Sequence, residues 1–467
     1  MSPCRSQIME EFSFATRKSD LLNLTGRKFQ ALVVGGGIIG SGIANTLAQC
    51  GVSVLLIDKG DFASGTSSGS SKMIHGGLRY LAQGRIRLTG HLLRERNYLL
   101  RNTGIVSWKN FTILIGKGMW NRRQLSFGLI LYRLLGGGRS SRYVKNGGEF
   151  PGNVDGCFTY RDAVTDDALL TMVNVISARD HGATCLNYVK LNAIPGNAGG
   201  SYSVIDTITG ENFVVGADLV INCAGSWARD LVTFPDKERS RMKLSKGVHL
   251  IFPASIFPRK DVIVFRSSVD GRQMFIIPRE KVVILGTTDE FTEDPADFAV
   301  SEKERDYVLR SVADLFPQFR RESIIGEYAG IRSLYGVGDS PGKMSRDFKL
   351  IRSGNTMTVF GGKVTDYRRV SRIVSKAILT ELGLRKSVRG LPEIKDNAMK
   401  DGITVEQAVY AMCSLCAEDV VRRRTGSIFF DPGSVKSQIG DFENLIRERG
   451  LNTVSREGVE YLSLPPL

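Results

Sequence analysis

Residues 67–81, "SSGSSKMIHGGLRYL", concentrate hydroxyl groups, cationic side chains and glycines in one short segment. Lys72 and Arg79 are hydrogen-bond donors, and His75 exchanges a proton near neutral pH. Gly76 and Gly77 have no side chain to keep a ligand away from the backbone. This mixture suits an anionic ligand bound close to the main chain, with a proton donor or acceptor beside it. A segment this polar needs neighbouring elements to hold it in place.

The sequence just before this segment predicts a βαβ unit. "FQALVV" (29–34) is typical of a buried strand, "GGGIIGSGIANTLAQC" of a glycine-rich turn and a helix, and "VSVLLID" of a second strand ending at Asp58. Gly35 permits the tight turn, Gly37 lets the backbone approach a pyrophosphate, and Gly40 lets helix and strand pack closely. The carboxylate of Asp58 is placed to accept ribose hydroxyls. The spacing therefore predicts a dinucleotide site.

Three later segments favour FAD over NAD as the dinucleotide. "ADLVINCAGSWARD" (217–230) resembles the turn, here with Ala224 and Gly225, that closes over FAD in flavoproteins with two dinucleotide folds. "LNYVKL" (186–191) is a candidate for the strand whose Val189 backbone meets adenine. "TMTVFGGKV" (356–364) predicts a strand and a Gly-Gly turn before a helix. Three separated segments converging on one cofactor fit FAD.

The remaining patterns predict an α/β chain, α+β overall. Segments between 246 and 289 alternate and turn like an antiparallel sheet, which predicts a substrate domain inserted into a Rossmann-like FAD-binding domain. A capping box, Thr404 with Gln407, opens a predicted small helical C-terminal domain. The predicted division is an N-terminal extension (1–28), an FAD-dependent oxidoreductase domain (29–385) with FAD-binding parts (29–110, 150–240, 325–385) and substrate-domain parts (111–149, 241–324), and the C-terminal domain (386–467).

Charge and cysteine content restrict the partners and the compartment. Sixty-three Lys and Arg against 48 Asp and Glu give a net charge of +15, which favours an anionic partner. The basic residues are scattered and form no nucleic-acid-binding motif, so no nucleic acid is expected. An odd count of seven cysteines fits a reducing compartment, and Cys413 and Cys416 are interpreted as buried thiols on one helix face.

No transmembrane helix or signal peptide is predicted, so the expected location is the cytoplasm or the cytoplasmic side of a membrane. "WNRRQLSFGLILYRLLGGGRSSRYVK" (120–145) predicts an apolar helix flanked by arginines. This helix is too short to span a bilayer but suits the interface of an anionic membrane. The alternative is a core helix capped by basic loops.

Several motifs in fixed order carry a family resemblance. They are "VVGGGIIGSGIA", "DKGDFASGTSSGSSKMIHGGLRYL", "VTDDALL", "GTTD", "GIRSL", "SRDFKL" and "FGGKVTDYR". Over residues 29–385 the chain resembles the FAD-dependent glycerol-3-phosphate dehydrogenases of the D-amino-acid-oxidase-like superfamily. The resemblance implies oxidation of sn-glycerol 3-phosphate to dihydroxyacetone phosphate, with hydride transfer to FAD and re-oxidation by a quinone or another acceptor. Association with a membrane and oligomerisation are compatible with it.

The resemblance also implies roles for individual residues. Arg332 and Arg346 match the arginines that bind the substrate phosphate, and bidentate guanidinium groups suit a phosphate dianion. Arg79 and Tyr80 match residues lining the same pocket, whereas Lys363 would stabilise reduced flavin or bind substrate. The expected cofactor contacts are Gly35, Gly37, Gly40, Asp58, Thr66, Ser67, Ser68, Ser71, Lys72, Gly76, Val189, Ala224, Gly225, Gly330, Gly362, Lys363 and Val364.

The catalytic base is left open between two histidines. His249 matches a histidine of the family's substrate domain, and His75 stands beside the flavin segment; either has a pKa suited to accepting the C2 hydroxyl proton. Asp366 stands where the family usually has threonine, and would disfavour anionic reduced flavin unless Arg368 or Arg369 pairs with it. Three other functions stay open: an oxidase using oxygen, an amine or amino-acid oxidase, and a catalytically silent FAD-binding protein.

Overall fold

The computed structural model describes most of the chain. The described residues are 12–82, 84–116, 121–139, 142–151, 153–192, 200–345, 347–390, 392–393, 403–449, 451–456 and 459–463. The strands are β1 (Lys28–Val34), β2 (Val54–Ile57), β3 (Met73–Ile74), β4 (Ser107–Gly116), β5 (Val144–Lys145), β6 (Val154–Val164), β7 (Thr184–Leu186), β8 (Val189–Leu191), β9 (Ser201–Asp206), β10 (Asn212–Asn222), β11 (Met242–Pro253), β12 (Val262–Arg266), β13 (Gln273–Pro278), β14 (Val282–Gly286), β15 (Glu290–Thr292), β16 (Gly326–Tyr335), β17 (Lys349–Ser353), β18 (Thr356–Phe360), β19 (Asn452–Arg456) and β20 (Val459–Ser463).

Helices connect and cover these strands. The α-helices are α1 (Phe14–Leu22), α2 (Ile38–Gln49), α3 (Leu78–Ala82), α4 (Ile86–Asn102), α5 (Arg122–Tyr132), α6 (Asp167–Asp180), α7 (Asp236–Arg239), α8 (Glu302–Ala313), α9 (Tyr367–Glu381), α10 (Val405–Tyr410), α11 (Ser427–Phe430) and α12 (Val435–Arg449). Short 3₁₀ turns cover Gly225–Trp227, Ala254–Ile256, Arg321–Ser323, Pro341–Lys343, Val364–Asp366 and Pro432–Ser434, and π-helical turns cover Arg133–Gly137 and Asp419–Arg424.

The first sheet places the predicted dinucleotide site at one edge. Its central strands run in the order β18-β10-β1-β2-β7, and each neighbouring pair is parallel. Parallel strands end at the same edge, so the residues after β1, β2, β10 and β18 come together. These residues include Gly35, Asp58, Cys223 and Gly361. The predicted α/β fold with its Rossmann-like unit is confirmed.

The second sheet is mostly antiparallel and carries the predicted substrate-side residues. Its order is β15-β11-β14-β13-β12-β4-β6-β3, with β16 paired to β11 and β5 paired to β6. In the long pairing of β11 with β16, His249 faces Tyr328 and Ser245 faces Arg332. Strands β6 and β16 lie in this sheet, although the predicted division assigned both to the FAD-binding part; the division as a whole stays a prediction.

The predicted N-terminal extension is integrated into the fold wherever it is described. Phe12 and Phe14 are buried in the same core as β1 and α2. Arg17 donates to the carbonyl of Asn187 at 2.9 Å and pairs with Asp206 at 2.7 Å. Residues 12–28 are therefore a packed part of the first domain, because apolar and charged contacts to distant segments hold them there.

The C-terminal region differs from the predicted run of helix. Helix α10 ends at Tyr410, and Cys413 has a positive φ of 50°, which an α-helix does not accept. The thiols of Cys413 and Cys416 are buried, as expected, but not on one helix face. A hairpin of β19 and β20 follows α12, so the described C-terminal residues are not entirely helical.

Candidate active site

The glycine turn after β1 brings backbone groups unusually close together. A Cβ on Gly40 would lie 1.9 Å from the carbonyl oxygen of Gly35, and a Cβ on Gly35 would lie 2.5 Å from that of Cys223. Gly35 also has φ +108°, in the region that favours glycine. Side chains at these positions would separate α2 from the sheet edge. The sequence thus uses glycine where the start of α2 must approach β1 and β10.

Asp58 is held against this turn. Its carboxylate accepts hydrogen bonds from the backbone N–H groups of Gly36 at 2.7 Å and Gly60 at 3.0 Å. Burial raises the pKa of Asp58 to about 6, although both hydrogen bonds favour the ionised form. The backbone N–H of Val189 donates to the Asp58 carbonyl at 2.7 Å. The predicted ribose and adenine residues are therefore adjacent.

The serine-rich loop crosses the start of α2. The Ser67 hydroxyl accepts a hydrogen bond from the Ile38 N–H at 2.9 Å, at the end of the helix where backbone donors bind phosphate groups. Thr66 donates to the carbonyl of Ile331. A Cβ on Gly330 would lie 2.3 Å from the Gly69 carbonyl oxygen, so the loop passes directly over β16. The loop thereby joins the two sheets.

The turns after β10 and β18 complete this edge. Ala224 precedes the short turn that starts at Gly225, whose φ is +56°. Gly362 has φ +91°, and a Cβ there would lie 3.1 Å from the Ile39 side chain in the first turn of α2. Val364 then begins the turn that leads into α9. The segments predicted to contact FAD thus meet around the N-terminus of α2.

Lys72 anchors the serine-rich loop. Its fully buried ammonium pairs with the carboxylate of Asp167 at 2.6 Å, donates to the Ser68 carbonyl at 3.0 Å and lies 3.9 Å from the Phe429 ring centroid. Ser68 is also buried. The ammonium thus holds the loop against α6, and the predicted contact of Lys72 with the cofactor stays a prediction.

His249 lies in the middle of β11, beside the same loop. Its Nε2 is 2.8 Å from the Ser71 hydroxyl, and its ring stacks on Tyr328 with centroids 4.7 Å apart. Its Nδ1 is buried and has no hydrogen-bond partner among the described residues. Burial holds the pKa of His249 well below its usual value, and the positive charges of Arg332 and Lys72 lower it further. The imidazole is therefore neutral at pH 7 and can accept a proton.

The guanidinium group of Arg332 lies flat on the neighbouring strand. A Cβ on Gly247 would come within 2.2 Å of Arg332 Nη2, so glycine is required beneath it. Arg332 pairs with Asp289 at 3.2 Å and donates to the Thr287 hydroxyl at 3.1 Å. These contacts fix the direction of a side chain that remains partly accessible. A fixed guanidinium fork beside a neutral histidine is suited to orient a phosphorylated alcohol.

Lys363 is a buried cation without a hydrogen-bond partner in the described structure. Its Nζ lies 4.8 Å from the centroid of the Tyr80 ring. The predicted pocket residue Arg79 is exposed and donates to the Gly342 carbonyl at 3.1 Å. A buried ammonium with unused donors fits the electron-rich edge of a bound flavin or an anionic substrate. Lys363 thus has the opposite hydrogen-bonding situation to Lys72.

His75 and Gly76 connect this side to α4 and α5. The His75 N–H donates to the Thr365 hydroxyl at 3.3 Å, and the Gly76 N–H donates to the Tyr132 hydroxyl at 3.1 Å. A Cβ on Gly76 would lie 2.2 Å from Leu93. Close packing against Leu93 and Tyr132 therefore already requires glycine at position 76. The predicted contact of this backbone with flavin stays a prediction.

One of the two arginines that were expected to pair with Asp366 lies near its carboxylate. Burial raises its pKa, while Lys363 and Arg369 lower it. Arg369 Nη1 lies 3.7 Å from Asp366 Oδ2, whereas Arg368 pairs with Glu95 at 2.9 Å. Of the two arginines, Arg369 is thus the one that acts with Lys363 to offset the negative charge of Asp366. Arg346 lies outside the described residues.

Sequence reasoning missed the residues that hold these groups in place. Asp167, Asp289 and Tyr328 contact Lys72, Arg332 and His249, respectively. The first two stand in the "VTDDALL" and "GTTDE" segments, so a pair of adjacent acidic residues in each segment was the available signal. Tyr328 had no comparable signal. Among the described residues, no group of His, Cys, Asp and Glu is placed to hold a metal ion.

Comparison with known proteins relates the chain to flavoenzymes. A family model described as FAD dependent oxidoreductase matches residues 30–362. The aerobic glycerol-3-phosphate dehydrogenase of Staphylococcus aureus (strain MRSA252) is 33% identical over 393 residues, covering 78% of this chain and 70% of that protein. The glycerol-3-phosphate dehydrogenase from Bacillus halodurans, solved with FAD, is 25% identical with a TM-score of 0.73 over 94% of both chains. FAD-bound L-α-glycerophosphate oxidase from Mycoplasma pneumoniae is 15% identical with a TM-score of 0.59, covering 76% of this chain and 95% of that one, and so shares the fold.

Proposed function

Because the chain belongs to the glycerol-3-phosphate dehydrogenases of the FAD-dependent oxidoreductase family, we propose that it oxidises sn-glycerol 3-phosphate to dihydroxyacetone phosphate and passes the electrons to a quinone. Its cofactor is FAD. The close glycine contacts, the start of α2 beside Ser67 and the Lys363 ammonium, which has no hydrogen-bond partner among the described residues, fit this group. When bound, FAD supplies the acceptor for the hydride that leaves C2 of the substrate.

The arrangement of Arg332 and His249 carries the proposal. Arg332 is fixed by Asp289 and Thr287 and rests on Gly247, two residues before His249 on the same strand. The serine-rich cofactor loop contacts His249 through Ser71 at 2.8 Å. A phosphate-binding group, a proton acceptor and the cofactor loop are thus adjacent. Oxidation of a phosphorylated secondary alcohol needs these three functions.

In this proposal, each residue has a distinct task. The forked guanidinium of Arg332 binds the substrate phosphate and orients C2, and we expect Arg346, Arg79 and Tyr80 to contribute to the same pocket. His249 donates its Nε2–H to Ser71, which leaves the lone pair of Nδ1 to take the C2 hydroxyl proton as the C2 hydride departs. Lys363 contributes positive charge next to the reacting groups. His75 is the alternative base.

The proposed quinone acceptor is supported by an exposed apolar surface on α5, the helix whose Tyr132 hydroxyl accepts from the Gly76 N–H. Phe127, Ile130 and Leu134 are exposed at helical spacing on α5 and the turn that follows it, with exposed Arg122 and Arg123 at the start of α5. No helix in the described part of the chain is long and apolar enough to cross a bilayer. We propose that this apolar face lies in the interface of an anionic membrane, where a lipid-soluble quinone is available.

Anaerobic mixing tests the reaction separately from the acceptor. Purified protein loaded with FAD is mixed with glycerol 3-phosphate in the absence of oxygen. The visible absorbance of the oxidised flavin should then bleach. Bleaching by glycine or sarcosine instead would identify an amine oxidase, and no bleaching by any of these would support a silent FAD-binding protein. Arg332→Gln should retain flavin absorbance and raise KM strongly. The exposed control Arg310→Gln should leave both flavin absorbance and KM unchanged.

Re-oxidation then distinguishes the acceptors. A short-chain quinone should restore the flavin absorbance much faster than dissolved oxygen does; rapid restoration by oxygen with hydrogen peroxide release would identify an oxidase instead. Vesicle flotation tests the membrane surface. Phe127→Ser with Leu134→Ser should reduce binding to anionic vesicles, whereas Val337→Ser, which removes an apolar side chain that is 84% exposed outside the proposed surface, should not.

A further inference from the structure

A second cationic site lies between α4 and α9. The cleft has a volume of about 740 Å³ and none of the proposed catalytic residues lines it. Its described lining contains five arginines and one carboxylate, Glu95; the arginines are Arg94, Arg101, Arg368, Arg369 and Arg372. Leu135 and Gly136, in the turn after α5, form part of the same lining. The described lining therefore has four more arginines than carboxylates.

Carboxylates neutralise only part of this charge. Glu95 pairs with Arg368 at 2.9 Å and with Arg372 at 2.6 Å. Arg369 pairs with Asp347 at 3.3 Å and lies 3.7 Å from Asp366. Two guanidinium groups in the cleft, those of Arg94 and Arg101, have no carboxylate partner among the described residues.

The surroundings of Arg94 show that its positive charge is not offset locally. Its Nη2 donates to His91 Nδ1 at 2.8 Å and its Nε donates to the Gly90 carbonyl, and both acceptors are neutral. The pKa of His91 is lowered by burial and then by the positive charges of Arg94 and Arg369, against the opposing effects of Glu95 and Asp347. Positive charge thus prevails around His91 despite the two carboxylates.

We propose that this cleft binds a phosphate group. Guanidinium forks match phosphate oxygens, and Arg94 and Arg101 lie two helical turns apart along the wall formed by α4. Glu95 and Asp347 hold the arginines of the opposite wall, on α9, in fixed directions. The site is separate from the proposed substrate site, since Arg332 and His249 do not line it.

The phosphate has two chemically equivalent sources. Leu135 adjoins Leu134, which belongs to the exposed apolar face of α5 and its following turn, so a phospholipid headgroup can enter the cleft while this face contacts acyl chains. A soluble phosphate ester or pyrophosphate presents the same oxygens. The experiment has one arm for each source.

The lipid arm uses the FAD-loaded protein and vesicles of phosphatidylcholine with or without phosphatidylglycerol. The test variant is Arg94→Gln/Arg101→Gln, and the control is Arg310→Gln/Arg320→Gln, which removes the same charge from exposed positions outside the cleft. The test variant should bind phosphatidylglycerol vesicles roughly thirtyfold more weakly than the control, since each juxtamembrane arginine contributes about a fivefold factor. Flavin absorbance and the thermal midpoint report whether both variants are folded.

The soluble arm is performed in an Arg332→Gln background, which removes the proposed substrate-phosphate site. Pyrophosphate at constant ionic strength should raise the thermal midpoint of this protein, and the shift should disappear when Arg94→Gln/Arg101→Gln is added. A difference between test and control in the lipid arm alone identifies a headgroup site, and a difference in the soluble arm identifies a site for free phosphates. Equal behaviour of test and control variants in both arms would overturn the proposal.

Discussion

Two lysines with buried ammonium groups differ in their hydrogen bonding. The Lys72 ammonium has a carboxylate at 2.6 Å, a backbone carbonyl at 3.0 Å and an aromatic ring at 3.9 Å. The Lys363 ammonium has the Tyr80 ring at 4.8 Å and no hydrogen-bond acceptor among the described residues. A buried charge without acceptors is costly to the folded protein. We infer from this difference that Lys72 stabilises the fold and that Lys363 is available to bind a ligand.

The same contrast extends to the neighbouring groups. On the Lys72 side, Asp61 accepts hydrogen bonds from Arg423 and Arg424, each at 2.7 Å, and all three residues are buried. These bonds fasten the C-terminal region to the segment that follows Asp58. By contrast, Lys363 Nζ, His249 Nδ1 and Asp366 Oδ2 have no described hydrogen-bond partner. We call the first set of residues, defined by its hydrogen bonds, the anchored side (Lys72, Asp167, Asp61, Arg423, Arg424) and the second set the open side (His249, Lys363, Asp366).

Substitution on the anchored side should have the largest effect on stability. Lys72→Met leaves the fully buried Asp167 carboxylate without its cation, and we expect the free energy of unfolding to fall by about 3–5 kcal/mol. Urea denaturation followed by circular dichroism measures this change. Lys72→Met/Asp167→Leu is the matched control, because removing both charges should recover much of the loss. A single substitution that costs less than about 1 kcal/mol would contradict an anchoring role.

Substitution of the proposed base should change turnover rather than folding. His249→Asn should lower kcat roughly a hundredfold or more, since it removes the proton acceptor. The loss should appear in the rate of anaerobic flavin bleaching, while retained flavin absorbance shows that the variant still folds and binds FAD. His181→Asn changes an exposed histidine and is the control. If His75→Asn abolishes bleaching and His249→Asn leaves its rate unchanged, the base is His75.

The low pKa of His249 also predicts a direction for the pH dependence of stability. Between its folded pKa and the ordinary value near 6.5, the unfolded chain binds a proton at this histidine that the folded chain does not. Stability from this group is therefore present above about pH 6.5 and decreases as the pH falls below it. We compare denaturation of wild type and His249→Asn between pH 7.5 and pH 5.5, roughly one unit above and below the ordinary pKa of histidine. The free energy of unfolding should decrease less in the variant as the pH falls.

Substitution of Lys363 should produce the opposite stability change from Lys72. Lys363→Met removes an ammonium that has no hydrogen-bond acceptor among the described residues but that lowers the pKa of the buried Asp366 carboxylate. In an Asp366→Asn background, which removes that carboxylate, we expect Lys363→Met to add roughly 2 kcal/mol to the unfolding free energy of the FAD-free protein. The gain should diminish when FAD is bound, because the lysine then has a partner. Denaturation of the FAD-free and FAD-loaded forms measures both quantities. Equal losses in both forms would place Lys363 with the anchored side.

Local patterns were sufficient to predict the dinucleotide unit but not the anchored side. Gly35, Gly40 and Asp58 follow from the spacing of one βαβ unit, since their contacts lie within or at the edge of that unit. The pairing of Lys72 with Asp167 was not predicted, because the two residues are 95 positions apart and sequence spacing does not reveal such pairs.

The second sheet shows the same limit. Strands β6 and β16 were assigned by their place in the chain, whereas their sheet is determined by pairing with β4 and β11. The predicted helix after Thr404 failed at Cys413, whose backbone N–H donates to the distant Phe12 carbonyl at 3.0 Å. In each case a long-range contact outweighed the local propensity.

The smallest expected effect concerns Asp58, which belongs to neither the anchored side nor the open side. Burial raises its pKa to about 6, and ribose hydroxyls donate to its ionised form, so FAD affinity should be full above pH 6 and weaken as the pH falls through it. We expect about a fourfold rise in the Kd of FAD between pH 7.5 and pH 5.5, since roughly a quarter of the Asp58 carboxylates stay ionised half a unit below a pKa of about 6. Quenching of flavin fluorescence during titration of the FAD-free protein measures Kd.

Asp58→Asn should bind FAD more weakly at pH 7.5 and lose most of this pH dependence, whereas the exposed control Asp339→Asn should retain it. A slope that persists in Asp58→Asn would assign the titration to another group and remove Asp58 from the proposed ribose contact, which would leave Gly35, Gly40 and Ser67 as the features that define this end of the site.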